Sequence, residues 1–405
     1  MSVQLLKTKN KMKAWLMLFG VMMALTLNAS AQFSSGSTGA DGALDFSNVT
    51  PGSTVIFDPT KFTAAPHVAG QNIFNFTTIT IPLNVTVVLS GQNLSGPVFW
   101  LAQGDVRISG TLTLSGQSGA TRTADTALRI PAIPGPGGYS GGVGGNNSSP
   151  ANAGNGPGGG RPGNFVSDNS AVGGGFTGSV TGPLVGGSGG GGAVCNDVTF
   201  GPGGGAGGGS LLIASSTSVT VTGLISANGG TSDNSCSCSG GGSGGEIKLA
   251  ANSISGNGSV TAAGGINNCR NGGGGVIQFE AFQISGVGSN PPAAQSAPGA
   301  LFLPTVPVSI QVVSVAGTPL PTTPSGSFQT PDVIINSSAP VPVALQVSGI
   351  PPGTVLTLFV FAEDGTFQTV QTSPLAGTLQ SSTATASITF LPDLSLGYVK
   401  ATWTQ

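Results

Sequence analysis

The chain is poor in charged residues and in histidine. Only 6% of its 405 residues are charged, and its one histidine, His67, lies in a Pro-flanked segment typical of a surface loop. Four of the twelve basic residues precede residue 32, so eight basic and fourteen acidic groups remain beyond it. Nucleic-acid binding needs clustered Lys and Arg to neutralise phosphates. This balance argues against nucleic acid as a main partner.

The first 31 residues have the composition of a secretory signal peptide. A basic leader, MSVQLLKTKNKMK, precedes the apolar run AWLMLFGVMMALTL and an Ala-Ser-Ala exit that ends at Ala31. This run is shorter than the roughly 20 apolar residues that span a bilayer. We expect cleavage after Ala31 and no transmembrane segment afterwards. A secreted, cell-surface or periplasmic location follows from that expectation.

Short alternating apolar strands recur along the chain and align with one another. Three copies within residues 210–286 match, with one extra residue in the first, and an earlier copy lies within residues 98–116. Each copy is too small to bury its apolar face alone, whereas stacked copies bury a continuous core. The aligned apolar columns are Val106, Val219, Ile254 and Ile284, and Leu101, Ile213, Leu249 and Phe279.

Glycine interrupts this pattern at residues 135–209, where 31 of 75 residues are Gly. So little apolar surface favours a mostly flexible excursion, and a glycine layer paired through its backbone is the alternative. The long excursion and two shorter glycine-rich insertions leave the strands at aligned points, after Gly116, Gly229 and Gly264. We therefore expect all three to leave from one corner and stack together.

All four cysteines lie in these glycine-rich excursions. An even number of cysteines after an export signal indicates two disulfides. Adjacent excursions favour Cys195–Cys236 with Cys238–Cys269, and the crossed pairing stays open. A four-thiolate metal site is the alternative, but the Cys-Ser-Cys spacing is not the usual one for zinc.

The charged residues of the strands do not form a recognisable catalytic set. Glycosidic hydrolysis needs two nearby carboxylates, but the strands offer Asp105, Glu246 and Glu280, of which the last two fall in different columns. Arg107 and Lys248 stand isolated, with no acidic cluster beside them for lyase chemistry. We expect no catalytic residue, no cofactor and no metal. A polysaccharide lyase or glycosidase with carboxylates that converge in the fold is the alternative function.

The same aligned columns bear on two modes of surface binding. Ice binding through Thr-x-Thr ladders is disfavoured, because Thr220 aligns with Arg107 and Ser255 rather than with threonine. Carbohydrate adhesion uses exposed aromatic residues. Tyr139, Phe165 and Phe176 are the candidate contact residues, since Trp100 and Trp403 fall within strands.

The strings GSTGADGALDF, FNFTTITIPLNVTVVLSG and LAQGDVRISGTLTLSGQ, followed by glycine-rich text, resemble one family. It comprises secreted, glycine-rich β-helical repeat proteins of environmental bacteria. The resemblance covers about residues 36–286 and implies a right-handed parallel β-helix, without implying any catalytic residue. Beyond it, short strands separated by turns resemble Ig-like modules in architecture only, because the Cys…Trp…Cys marks are missing.

The sequence thus predicts an exported all-β protein with a right-handed parallel β-helix of about four coils and an antiparallel Ig-like β-sandwich. Its expected function is structural or adhesive at the cell surface or in the matrix, with polysaccharide or other surface components as partners. The predicted segments are a signal peptide at 1–31, a cap at 32–73, the β-helix at 74–288 with its insertion at 135–209, a linker at 289–305 and the sandwich at 306–405.

Overall fold

The computed structural model describes most of the chain after residue 31. The described residues are 32–64, 72–125, 128–163, 171–180, 183–195, 198–233, 235–266, 270–301, 303, 306, 309–320, 332–335, 337–362, 367–390 and 397–402. The predicted signal peptide, His67, Phe165, Cys269 and Trp403 lie outside them.

Residues 42–296 form a stack of coils, here called the coil stack, in which successive coils add one strand to each of two parallel sheets. The strands are short because each ends where the chain turns into the next face of the coil. They are β1 (Gly42–Asp45), β2 (Thr54–Ile56), β3 (Ile73–Ile81), β4 (Thr86–Val88), β5 (Val98–Ala102), β6 (Val106–Ile108), β7 (Thr111–Thr113), β8 (Ser210–Val221), β9 (Leu224–Ser226), β10 (Glu246–Ser255), β11 (Ser259–Thr261), β12 (Val276–Ser285), β13 (Gly288–Asn290) and β14 (Ala294–Ser296).

The two sheets follow the predicted columns closely. Sheet A has the order β1-β3-β5-β8-β10-β12-β14, with β6 beside β3 and β8, and sheet B has the order β13-β11-β9-β7-β4-β2. Val219, Ile254 and Ile284 are paired in register, and the register shift between β8 and β10 falls where the extra residue was predicted. The alternation of apolar residues therefore sets both the inward face and the register.

The predicted column through Ile213 is wrong by one residue in β5. Trp100, not Leu101, pairs with Ile213, while Leu101 pairs with Ala214 and faces outward. Trp100 is fully buried in the core, with its ring 5.3 Å from that of Phe57. The sequence FWLA is apolar at every position because sheet A is covered on both faces here, so alternation could not fix its phase.

The coil stack has more coils than the predicted four, and it extends past both predicted ends. The predicted cap at 32–73 contains β1 and β2, which pair with β3 and β4 as a full coil. The predicted linker at 289–305 begins inside the last coil, where β14 pairs with β12. Six coils result within the described residues, with β14 as a further strand of sheet A. These terminal strands are three or four residues long, too short to show a period.

A second apolar cluster covers the outer face of sheet A. Phe33 lies on it and exchanges hydrogen bonds with the amide of Asn252, so the segment before β1 crosses the outside of the stack. Phe99, Leu101 and Leu212 are buried beneath this segment. Leu184, Leu301 and Leu303 pack against the same cluster. The part of the outer face of sheet A that carries this cluster is therefore covered by the protein itself.

The C-terminal part is antiparallel, as predicted, and has its own apolar core. Val343, Leu345 and Leu358 are completely buried in it. One sheet has the order β16-β15-β17-β21-β20 and the other β19-β18-β22. Its strands are β15 (Ser309–Val315), β16 (Thr318–Pro319), β17 (Val341–Ser348), β18 (Thr357–Ala362), β19 (Phe367–Gln371), β20 (Ala376–Gly377), β21 (Ser382–Ile388) and β22 (Gly397–Thr402).

Candidate functional site at the outer end of the glycine bundle

The three glycine-rich excursions leave the coil stack at one corner, as predicted. They follow β7, β9 and β11, whose last residues Thr113, Ser226 and Thr261 are paired in register. The N–H of Gly116 donates to the carbonyl of Asn228, at 2.9 Å, so the pairing of the strands continues into the excursions. Residues 114–209, 227–245 and 262–275 together are called the glycine bundle below.

The glycine bundle is held together by backbone hydrogen bonds that recur at every third residue. One central segment, residues 187–193, bonds residues 202–208 on one side and residues 152–155 on another. A repeat of three residues is that of an extended polyproline II chain, which presents its peptide groups in three directions. The described parts of the excursion are therefore ordered, as in the glycine-layer alternative. The N–H groups of Tyr139, Gly142 and Gly145 bond the carbonyls of Gly187, Gly190 and Ala193 at 3.0, 2.9 and 2.9 Å.

Glycine is required because neighbouring backbones are in direct contact. A Cβ atom on Gly207 would lie 1.8 Å from the carbonyl oxygen of Gly187, and one on Gly189 would lie 2.0 Å from that of Ser140. No real side chain tolerates such distances, so the bundle packs peptide planes where the coil stack packs side chains. The high glycine content is thus a packing requirement rather than a sign of flexibility.

A buried carboxyl group joins the bundle to sheet A. The N–H of Val185 donates to Oε2 of Glu246, at 3.0 Å, and Glu246 is 1% exposed. Burial raises the pKa of Glu246 to about 8, although the bond from Val185 and the charge of Lys248 act to lower it. This carboxyl group is therefore protonated at neutral pH and joins the two regions as a neutral group.

Several exposed aliphatic side chains lie in the first and third excursions of the glycine bundle. Val198 is 85% exposed, Ile266 is 68% exposed, and Leu128 and Ile130 are 58% and 57% exposed. Six of the eleven large hydrophobic residues that are exposed among the described residues belong to the bundle. Exposed apolar side chains can mark an interaction surface. We call these four residues the outer end.

Covalent and polar contacts hold the described parts of the bundle together. Cys195 and Cys236 form a disulfide that joins the first excursion to the second, as predicted. Cys238 is also disulfide-bonded, and its predicted partner Cys269 lies outside the described residues. Arg129 donates to the carbonyls of Gly144 and Pro150, and its guanidinium lies 5.0 Å from the ring centre of Phe200.

The aromatic residues predicted as contacts are placed differently from these aliphatic residues. Tyr139 is half-buried, its ring lies against Gly156, and burial raises the pKa of its hydroxyl. Phe176 is half-buried beside Gly178. Phe165 lies outside the described residues. The exposed aliphatic residues were not predicted as contact residues, because isolated Leu, Ile and Val in a glycine-rich segment show no periodicity.

The charged residues of the strands, which the enzymatic alternative would need, are paired or buried. Asp105 accepts hydrogen bonds from Thr217 and Ser218, both at 2.8 Å, which lower its pKa, and it forms an ion pair with Arg107 at 3.1 Å. Arg107 is thus not isolated as predicted. Neither is Lys248, which lies 2.7 Å from Glu280. Arg107 pairs with a residue two positions before it, whereas Lys248 pairs with a residue of the neighbouring strand, which column alignment alone does not show.

The two buried glutamates are far apart along the sheet. Glu246 is opposite Val276, so Glu280 lies four residues, or about 13 Å, farther along the neighbouring strand. Hydrolysis requires carboxyl groups about 5–9.5 Å apart and open to a substrate. Both glutamates are instead almost inaccessible to solvent, at 1% and 7% exposure.

Nowhere in the described residues do three His, Cys, Asp or Glu side chains converge as a metal site would require. Within that part of the chain, no helix reaches the length and apolarity needed to cross a membrane. Comparison with protein families, characterised proteins and solved structures found no match for this chain. The geometry of the site alone supports the functional argument.

Proposed function

We propose that this chain is an exported, non-catalytic structural or adhesive protein that contacts its partner through the outer end of the glycine bundle. In this proposal the coil stack is a right-handed parallel β-helix and the C-terminal part is an Ig-like sandwich. The helix presents the bundle, and the sandwich serves as a spacer or attachment module. Polysaccharide or another cell-surface component is the partner.

The observation that carries the proposal is the exposure of Leu128, Ile130, Val198 and Ile266 on a bundle whose described residues are held by a disulfide and by backbone pairing. A bundle held in this way presents apolar side chains without the ordering cost that flexible loops incur on binding. Apolar side chains can lie against the C–H faces of sugar rings. Because only 6% of the chain is charged, steering by long-range electrostatics contributes little.

The test is co-sedimentation of the exported protein with a panel of insoluble plant and bacterial polysaccharides. We expect binding of the native protein and at least a tenfold loss of affinity when Leu128, Ile130 and Val198 are all replaced by Ser. The matched control is Leu83→Ser, because Leu83 is 67% exposed but lies between β3 and β4 of the coil stack. Equal loss in the control would contradict the assignment of the outer end.

The same incubations test the enzymatic alternative. Sedimentation without new reducing ends or unsaturated products supports a binding protein. Turnover that disappears in Asp105→Asn or Glu280→Gln would overturn the non-catalytic proposal, because these residues would then act on substrate.

A further inference from the structure

Three polar side chains form a cluster on the outer face of sheet A, where two neighbouring coils meet. Lys248 lies on β10, and Gln278 and Glu280 lie on β12, with Lys248 directly opposite Gln278. Nζ of Lys248 is 2.7 Å from Oε1 of Glu280, and Nε2 of Gln278 donates to the same oxygen at 2.8 Å. The side chains of Lys248 and Glu280 are 20% and 9% exposed.

The second oxygen of Glu280 is left without a partner. Oε2 is buried and accepts no hydrogen bond within the described structure, while Oε1 takes both available donors. A buried, unpaired carboxylate oxygen costs the desolvation energy of a charged acceptor. A buried ion pair is itself stabilising only when the remaining lone pairs are satisfied. If Lys248 and Glu280 remain an ion pair, the burial of Oε2 of Glu280 without a hydrogen bond is therefore energetically unfavourable.

We propose that Lys248 and Glu280 are joined by an amide bond between Nζ and the side-chain carbonyl carbon. The ammonium first passes a proton to the carboxylate, which gives a neutral amine and a carboxylic acid. The amine nitrogen attacks the carboxyl carbon, the C–N bond forms, and the bond from that carbon to Oε2 breaks. Oε2 leaves as water with two protons that come from the original ammonium group. The reaction needs no oxidant, reductant or co-reactant.

Each contact of the cluster fits this product. Oε1, which Gln278 already contacts, becomes the amide oxygen, and the unpaired Oε2 is removed. Both buried charges disappear, so the cost of desolvating an ion pair disappears with them. Holding the two groups in contact gives an effective concentration of about 10⁵–10⁸ M, which favours a condensation that is unfavourable between free molecules in water.

The bond would lock the last coils of the stack together. It joins β10 to β12 on the face that also contacts Leu301 and Leu303, where the chain leaves toward the C-terminal sheets. A force applied through the sandwich would reach β12 and β14 first. A covalent cross-link at this point resists such peeling, independently of whether the outer end binds a partner.

The experiment is intact-mass measurement of the reduced, unfolded protein, followed by tryptic mapping. We expect a mass one water molecule below that of Lys248→Arg after correction for the substitution, with no cleavage after Lys248 and a branched peptide containing Glu280. Lys248→Arg keeps the charge and the ion pair but cannot form this bond. Lys61→Arg is the matched control on the exposed turn at Pro59–Lys61, and it should keep the loss of water.

One outcome would overturn the inference. Complete cleavage after Lys248, with no branched peptide in the native protein, rules out the bond. The Lys248→Arg comparison excludes a loss of water that arises elsewhere in the chain.

Discussion

The coil stack and the glycine bundle both bury a continuous interior, but the first fills it with side chains and the second with peptide groups. In the coil stack, side chains such as Trp100, Ile213 and Leu249 fill the interior, and the backbone pairs in sheets with a side-chain period of two. In the bundle, peptide groups form the interior and pair with a period of three. The comparison teaches that burial of backbone without side chains can order a long segment, provided that nearly every buried position is glycine.

The two regions should differ in the kind of substitution that destabilises them. A side-chain core loses stability when atoms are removed, because a cavity remains. A backbone core contains few side-chain atoms to remove and loses stability when atoms are added, because peptide planes already touch. The predictions below run from the largest expected effect to the smallest.

Trp100→Ala should cause the largest loss, about 4 kcal/mol in the free energy of unfolding. Trp100 is completely buried and contacts the rings of Phe57 and Phe76, so its removal leaves a large cavity in the coil stack. Urea unfolding followed by circular dichroism measures the change. Leu83→Ala, at an exposed site of the same stack, should change the free energy by less than about 0.5 kcal/mol. A loss below about 1 kcal/mol for Trp100→Ala would contradict a side-chain core here.

Glu246 makes the contact between the two regions sensitive to pH. The folded protein keeps this proton up to about pH 8, whereas the unfolded chain releases it near 4.5. Between these values the folded state binds the extra proton, so stability is fully present below about pH 4.5 and falls as pH rises toward 8. The fall should be on the order of 3 kcal/mol, after allowance for relaxation of the buried site.

Unfolding free energies measured at intervals from pH 5 to pH 8 test this slope. Glu246→Gln keeps an acceptor for the N–H of Val185 but cannot titrate, so the fall across this range should disappear. The slope, not the absolute stability, is the readout. A slope that persists in Glu246→Gln would assign the titration to another group.

The sequence allowed the coil stack to be predicted well because apolar alternation is a direct record of burial. The columns through Val219 and Ile225 were right, and even the extra residue of β8 was located correctly. Errors arose where the sequence shows no alternation of apolar and polar residues. Trp100 lies in a run that is apolar at every position, and β2 and β14 are three residues long.

The glycine bundle was predicted only as an alternative, for a physical reason. Peptide groups that pair with one another leave no hydrophobic pattern, so composition alone resembles that of a disordered segment. A signal was nevertheless present, because Gly201, Gly204 and Gly207 recur at the spacing of their backbone hydrogen bonds. The shared corner and the Cys195–Cys236 disulfide could be predicted because they follow from aligned insertion points rather than from side-chain burial.

Replacing Cys195 and Cys236 by Ser should reduce stability by about 3 kcal/mol, since the disulfide closes a loop with a sequence separation of 41. The effect should be confined to the bundle, because the disulfide joins two excursions and no strand of the coil stack. Hydrogen exchange should therefore rise for amides such as those of Gly190 and Gly240, while Ile213 and Leu249 stay protected. An equal rise in both regions would contradict the independence of the two cores.

The smallest and most specific effect is expected from one added methyl group. Gly207→Ala would place a Cβ atom 1.8 Å from the carbonyl oxygen of Gly187, so backbone must move, and we expect a loss of about 2 kcal/mol. Gly274→Ala is the matched control in the same bundle, because nothing lies within 4 Å of the added atom. That control should leave stability unchanged or raise it by up to about 1 kcal/mol, since alanine restricts the unfolded chain. Equal effects at the two positions would mean that the bundle is not packed through its backbone, and the contrast between the two regions would then fail.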